Sequence, residues 1–194
     1  MVKLGPDVYD GKSDAYSGYL ASGNFSGFSM LHEQGTGGVP KYGTVSQLPL
    51  VGVAEDGGKD NITSNPLANL TIGRGAEDDD GSVGYYRAKT TDGVTVELSA
   101  TARAGIYQYT FPDGDGLRYY VLVDVSHVLP TFRQPSLGQA YKGGSIEVDS
   151  SDAHYTGYGV YDNGWNEAPD WTIYFCELSP TENGGDRLFF ADCQ

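Results

Sequence analysis

Cysteine and basic side chains are scarce in this 194-residue sequence, and it contains neither a long apolar run nor a helical repeat of apolar positions. Each shortage narrows what the chain can be. With two cysteines the fold need not depend on staples, since a chain of this length can bury roughly 70% of its unfolded surface in an ordinary core. Cys176 and Cys193 could close a loop of about 16 residues worth roughly 3 kcal/mol, or remain as two buried thiols, and spacing does not decide between them. Lys and Arg number 12 against 26 Asp and Glu, a formal net charge of -14. That balance works against nucleic acid or an anionic membrane as a partner, because phosphate binding needs clustered cations. The first residues, 1–7, carry no apolar stretch that would serve as a signal peptide or a membrane span.

What the sequence does have is glycine and tyrosine, 28 and 15 of them, which suits strands joined by many turns. Apolar positions recur with period two. Val94, Val96, Leu98 and Ala100 alternate with Thr95, Glu97, Ser99 and Thr101, and the Asp92-Gly93 pair before them predicts a hairpin with the run beginning at Tyr85. Further strands are expected at 45–53, 105–111, 145–148, 155–160 and 172–178, and the continuously apolar run 119–125 suits a central strand. Residues 8–26 read as loop. Residues 54–82 read as an acidic insertion loop, too polar to be core. With no dividing linker, residues 1–194 form one domain, and the fold class is all-β, a large antiparallel sandwich.

Most chemical motifs are absent. Asp113-Gly114-Asp115-Gly116 begins like a calcium loop but lacks the glutamate at its twelfth position, so it reads as a turn. His127 and His154 have no zinc spacing, and there is no nucleophile elbow, phosphate loop or dinucleotide fingerprint. The informative stretch is 27–43, where Gly27-Phe28-Ser29 leads through His32 and Glu33 to Gly35-Thr36-Gly37-Gly38 and then Pro40-Lys41-Tyr42-Gly43. Glycine lets a backbone approach a ligand closely, and a loop held between two strands is where binding groups concentrate. A wide turn would use the same residues.

This stretch resembles the most recognisable motif of the N-terminal domain of glycoside hydrolase family 92, the calcium-dependent exo-acting α-mannosidases. Other blocks are similar to the same family: Met1-Val2 with Gly5-Pro6-Asp7, the Gly18-Tyr19 pair, the hairpin that starts at Tyr85, and Tyr174-Phe175 with Glu177-Leu178-Ser179-Pro180. The resemblance implies a galactose-mutarotase-like supersandwich, here incomplete, and a chain truncated at both ends with Met1 an internal methionine. It implies mannose-containing glycans as ligands and a helical catalytic domain of the same protein as partner. It also implies calcium for the full-length enzyme, with none held by this chain alone.

Substrate-binding candidates carried over on the motif are Tyr19, His32, Glu33, Gly35, Thr36 and Gly37. An imidazole can donate one hydrogen bond and accept another, which suits vicinal hydroxyls, and Tyr19 could stack on a sugar face. Met30 stands where many members have a second histidine, and Trp165 is expected to pack between sheets. Neither catalytic nor metal-ligating residues are assigned, because family members supply the acid, the base and most of the calcium shell from the helical domain. The sequons at Asn24, Asn61 and Asn69 are glycosylation acceptors if the chain is secreted. The full-length protein is therefore expected in the secretory pathway, although this chain shows no signal peptide. The expected function is one wall of a mannose pocket; a stand-alone carbohydrate-binding module or a non-functional structural remnant are the alternatives.

Overall fold

The computed structural model describes residues 3–32, 39–53, 60–64, 71–149, 154–178 and 187–191. Period-two patterning gives the two-layer antiparallel sandwich it demands. The smaller sheet contains β1 (Gly5–Tyr9), β2 (Asn24–Ser29), β3 (Ser46–Val53) and β8 (Leu117–Asp124), in the order β1-β2-β3-β8. The larger contains β4 (Asp80–Ser82), β5 (Tyr85–Lys89), β6 (Thr95–Ala100), β7 (Gly105–Thr110), β9 (Tyr141–Asp149), β10 (His154–Tyr161), β11 (Trp171–Leu178) and β12 (Arg187–Ala191). Its order is β4-β5-β6-β7-β12-β11-β10-β9, so the last strand joins two meanders into one sheet. One helical turn, α1 (Asn61–Ser64), packs against β3.

The expected hairpin is present, with Tyr85 opposite Ser99 and Lys89 opposite Thr95. Val94, Val96 and Leu98 are buried, as are Tyr107 and Tyr109 on the neighbouring strand. They meet Phe25, Phe28, Leu48 and Leu50 from the smaller sheet to form the core. Within this apolar layer lies a polar cluster. Gln47 Nε2 donates to Glu177 Oε2 at 2.5 Å and to the Tyr155 hydroxyl at 3.0 Å, and the Tyr109 hydroxyl donates to Gln47 Oε1 at 2.7 Å. Tyr155 also donates to Glu177 Oε2. Burial pushes the Glu177 carboxyl up to about 9, and the Gln47 hydrogen bond offsets only part of that.

Three expectations need correction. The apolar run around 119–125 forms an edge strand rather than a central one, since among the described residues β8 pairs only with β3. Residues 5–9 form a strand that the loop reading of 8–26 cut short. Pro6 concealed it, yet β1 is an edge strand, where a missing N–H is tolerated. The segment 54–82 is not wholly solvated: Asp60, Ile62 and Ile72 are buried. Asp60 Oδ2 accepts from the Tyr120 hydroxyl at 2.5 Å while its Oδ1 accepts from the Ile62 N–H at 3.0 Å, so an acid in an acidic stretch docks that stretch on the core.

Candidate functional site

The motif loop leaves the end of β2 and returns to β3, and backbone pairing closes its base. His32 bridges Tyr42 antiparallel, and the Gly43 N–H donates to the Leu31 carbonyl at 2.8 Å. The returning stem takes an uncommon path. Tyr42, Gly43 and Val45 have φ of 72°, 66° and 55°, a region that costs a tyrosine energy and a β-branched valine more. Surrounding contacts hold it there. The Tyr42 N–H donates to Gln139 Oε1 at 2.7 Å, and its ring meets Trp171 edge-on at 5.3 Å. Lys41 Nζ donates to Asn163 Oδ1 at 3.2 Å and lies 5.3 Å from the Tyr42 ring centroid and 5.9 Å from that of Trp165.

His32 sits at the base of the loop, 7% exposed. Its Nδ1–H donates to the Lys3 carbonyl at 2.7 Å and its Nε2–H to Asp7 Oδ1 at 2.5 Å. Two acceptors facing two ring nitrogens require an imidazolium. Burial alone would lower the His32 pKa, but the Asp7 charge and the hydrogen bonds to Asp7 and Lys3 raise it overall. Burial would raise the Asp7 pKa, yet the charge of His32 and the contacts of His127 and His32 hold it well below the ordinary carboxylate range. His127 approaches from the other side, with Nε2 3.2 Å from Asp7 Oδ2, a close contact without aligned hydrogen-bond geometry. Gly18, at φ +81°, closes over the imidazole: a Cβ there would lie 2.5 Å from His32 Nε2 and 2.6 Å from the Pro6 carbonyl oxygen.

Both ring nitrogens of His32 are therefore engaged inside the chain, and a sugar hydroxyl would have to displace one of these bonds. Glu33, Gly35, Thr36 and Gly37 lie outside the described residues. Tyr19 is 44% exposed and lines a groove of about 880 Å³ together with Tyr85 and Tyr86. Arg74 lies 5.4 Å from the Tyr19 ring centroid. Lys3 lines the same groove, and its carbonyl accepts from His32, so one residue joins the groove to the loop base. Trp165 is 39% exposed and rests against Lys41.

Asn24 and Asn61 are exposed, and Asn61 Oδ1 accepts from the Val53 N–H at 2.8 Å. Asn69 lies outside the described residues. Cys176 is buried and disulfide-bonded, while Cys193 is also outside them. Sequence reasoning missed Asp7, His127, Lys41 and Gln139. Asp7 stood in the quoted Gly-Pro-Asp block, but nothing local tied it to a histidine 25 residues later.

The fold and the loop together define a class: a β-sandwich domain that presents a glycine-rich loop from a buried histidine–aspartate anchor. The profile of the Glycosyl hydrolase family 92 N-terminal domain matches residues 1–179, and the chain belongs to that family. It is 26% identical over 193 residues to an uncharacterized secreted glycosidase of Arthroderma benhamiae, a match covering 94% of this chain and 24% of that protein. Its fold is similar to that of a family GH92 alpha-mannosidase from Bacteroides thetaiotaomicron, with a TM-score of 0.69 at 21% identity over 99% of this chain and 28% of that one. A family GH92 inverting mannosidase of the same organism matches with a TM-score of 0.59 at 16% identity, over 98% of this chain and 27% of the other. The chain thus spans about a quarter of the length of these relatives.

Proposed function

We propose that this domain forms one wall of the mannose-binding pocket of a secreted α-mannosidase, packing on a helical catalytic domain carried by the same protein. The observation that carries the reading is the anchor under the motif loop. A buried imidazolium–carboxylate pair, closed over by Gly18, costs desolvation that only close pairing recovers, and it fixes His32, where the loop begins. His32 is then a positioning residue. Glu33, Gly35, Thr36 and Gly37 would meet the sugar through backbone groups and the Thr36 hydroxyl, with Glu33 shaping the loop rather than moving a proton.

Hydrolysis is assigned to the rest of the protein. An inverting glycosidase needs two carboxyl groups about 6.5–9.5 Å apart across the scissile bond. The Asp7 carboxylate is locked between two histidines, and the Glu177 carboxyl is enclosed in the sandwich core. Calcium, which the family resemblance implies for the whole enzyme, needs six to eight oxygen ligands. Among the described residues, no group of three or more His, Cys, Asp or Glu could hold a metal ion. The secreted relative and the exposed Asn24 and Asn61 support a secretory location and glycosylation at those two positions.

Titrating the chain with methyl α-mannoside, alongside a hydrolysis assay on an aryl α-mannoside, tests this reading. Weak binding at 33–38 without turnover is expected. Turnover by the chain alone would overturn the assignment of the acid and base elsewhere. The groove beside Tyr19 favours a second reading, a carbohydrate-binding module, in which the mannoside would perturb Tyr19, Tyr85 and Tyr86 instead.

A further inference from the structure

A second cavity, of about 220 Å³, lies against the smaller sheet. Its floor follows from register. Ser46 pairs with Asp124 and Leu48 with Leu122, so these four side chains share one face of β3 and β8, while Gln47 between them turns inward to Glu177. Ser26 of β2 adds a hydroxyl at one side, and His127 begins the opposite wall. That wall is fixed. The Tyr161 hydroxyl donates to the Val125 carbonyl at 2.5 Å, the Leu129 N–H to the Tyr42 carbonyl at 3.1 Å, and the Phe132 N–H to Asp14 Oδ1 at 2.6 Å. These bonds hold the segment after β8 in place as one wall of the cavity.

Its chemistry is selective. Asp124 Oδ1 accepts from the Ser126 N–H at 2.8 Å and from its hydroxyl at 2.6 Å, which orients the carboxylate and leaves Oδ2 as an acceptor. Among the described residues no Lys or Arg lines the cavity, and a carboxylate does, so phosphates and acidic sugars are disfavoured. Hydroxyls, an imidazole and a carboxylate stand around an apolar floor of Leu48 and Leu122. This arrangement matches a ring with hydroxyls at its edge and C–H bonds on its face. The volume lies below the ~300 Å³ at which pockets for drug-sized ligands begin, which suits one ring rather than an oligosaccharide.

We propose that this cavity is a separate binding site for one neutral hexose ring, with Asp124 and His127 bonding its hydroxyls. Its described lining residues lie on β2, β3, β8 and the segments beside them, so shifts there and shifts at 33–38 are read separately. The test is a residue-resolved NMR titration of the whole chain with mannose, glucose and galactose. At least one sugar is expected to shift Ser46, Asp124 and His127. Asp124→Asn, which keeps an oxygen for Ser126, is expected to weaken binding about tenfold by exchanging a charged acceptor for a neutral one. Leu122→Phe fills the cavity and is expected to abolish these shifts, whereas Thr36→Val leaves them unchanged. Silence of the cavity residues with all three sugars would overturn the inference, as would wild-type affinity in Asp124→Asn. Shifts confined to 33–38 would also overturn it while upholding the mannose-wall reading. Should Leu122→Phe fail to fold, Asp124→Asn carries the test.

Discussion

Glu177 ties the stability of the sandwich to pH in a direction opposite to that of most carboxylates. It is fully buried, and its Oε1 has no hydrogen-bond partner among the described residues, which leaves the folded state with a neutral carboxyl. The unfolded chain releases this proton near 4.5, whereas the folded chain holds it until about 9. Between those values the folded state binds the extra proton, so stability falls as pH rises, by about 1.4 kcal/mol per pH unit. From pH 5 to pH 8 the loss attributable to this side chain is about 4 kcal/mol. Glu177→Gln removes the titration while retaining an oxygen to accept from Gln47 and Tyr155. The new amide donors find no partner, so the variant is expected to be about 1–2 kcal/mol less stable than wild type at pH 5 and more stable at pH 8. Urea unfolding followed by tryptophan fluorescence at pH 5, 6, 7 and 8 measures the difference, since all other titrations are common to both proteins. Parallel stability profiles for the two would show that Glu177 does not hold its proton in the folded state.

The pair beneath the loop gives the complementary pH window. The depressed Asp7 contributes stability above its unfolded pKa and loses it in acid, while the raised His32 contributes below its unfolded pKa and loses it as pH climbs through its folded value. The contribution of the pair is therefore greatest between about 4 and 6.5. Asp7→Asn leaves a buried imidazolium without its counter-charge and should cost about 3–5 kcal/mol in urea unfolding at pH 6. Gly18→Ala meets both a positive φ and the His32 ring, so a loss of about 2 kcal/mol is expected, or about 4–8 °C in melting temperature. Lys41→Met removes the Asn163 hydrogen bond and the contacts over Tyr42 and Trp165 and should cost about 1–2 kcal/mol, read by thermal melting.

How much of this was legible depended on range. The meander from β5 to β7 could be read because a Gly turn and strict alternation are local signals, and Val96 and Leu98 point where alternation says they should. Strand β1 was hidden because only its neighbour β2 makes residues 5–9 a strand, and Pro6 argues against one in isolation. Charge density concealed the docking of Ile62 and Ile72, which depends on Asp60 finding Tyr120 60 residues away. At the site, the loop was found through glycine and histidine, but the role of His32 was not. Its partners are Lys3 and Asp7, its cover is Gly18, and Asp7 is shared with His127, a residue whose spacing gave no metal motif. Long-range pairing of buried charges leaves no period in a sequence.

On the proposed function, an anchored loop makes this domain one wall of a mannose pocket. A residue-resolved NMR titration of the wild-type chain and Gly18→Ala with methyl α-mannoside tests it most directly. Shifts centred on residues 33–38 are expected in the wild type, weakened when the anchor at the loop base is disturbed. Shifts absent from 33–38, or equal in both proteins, would contradict it.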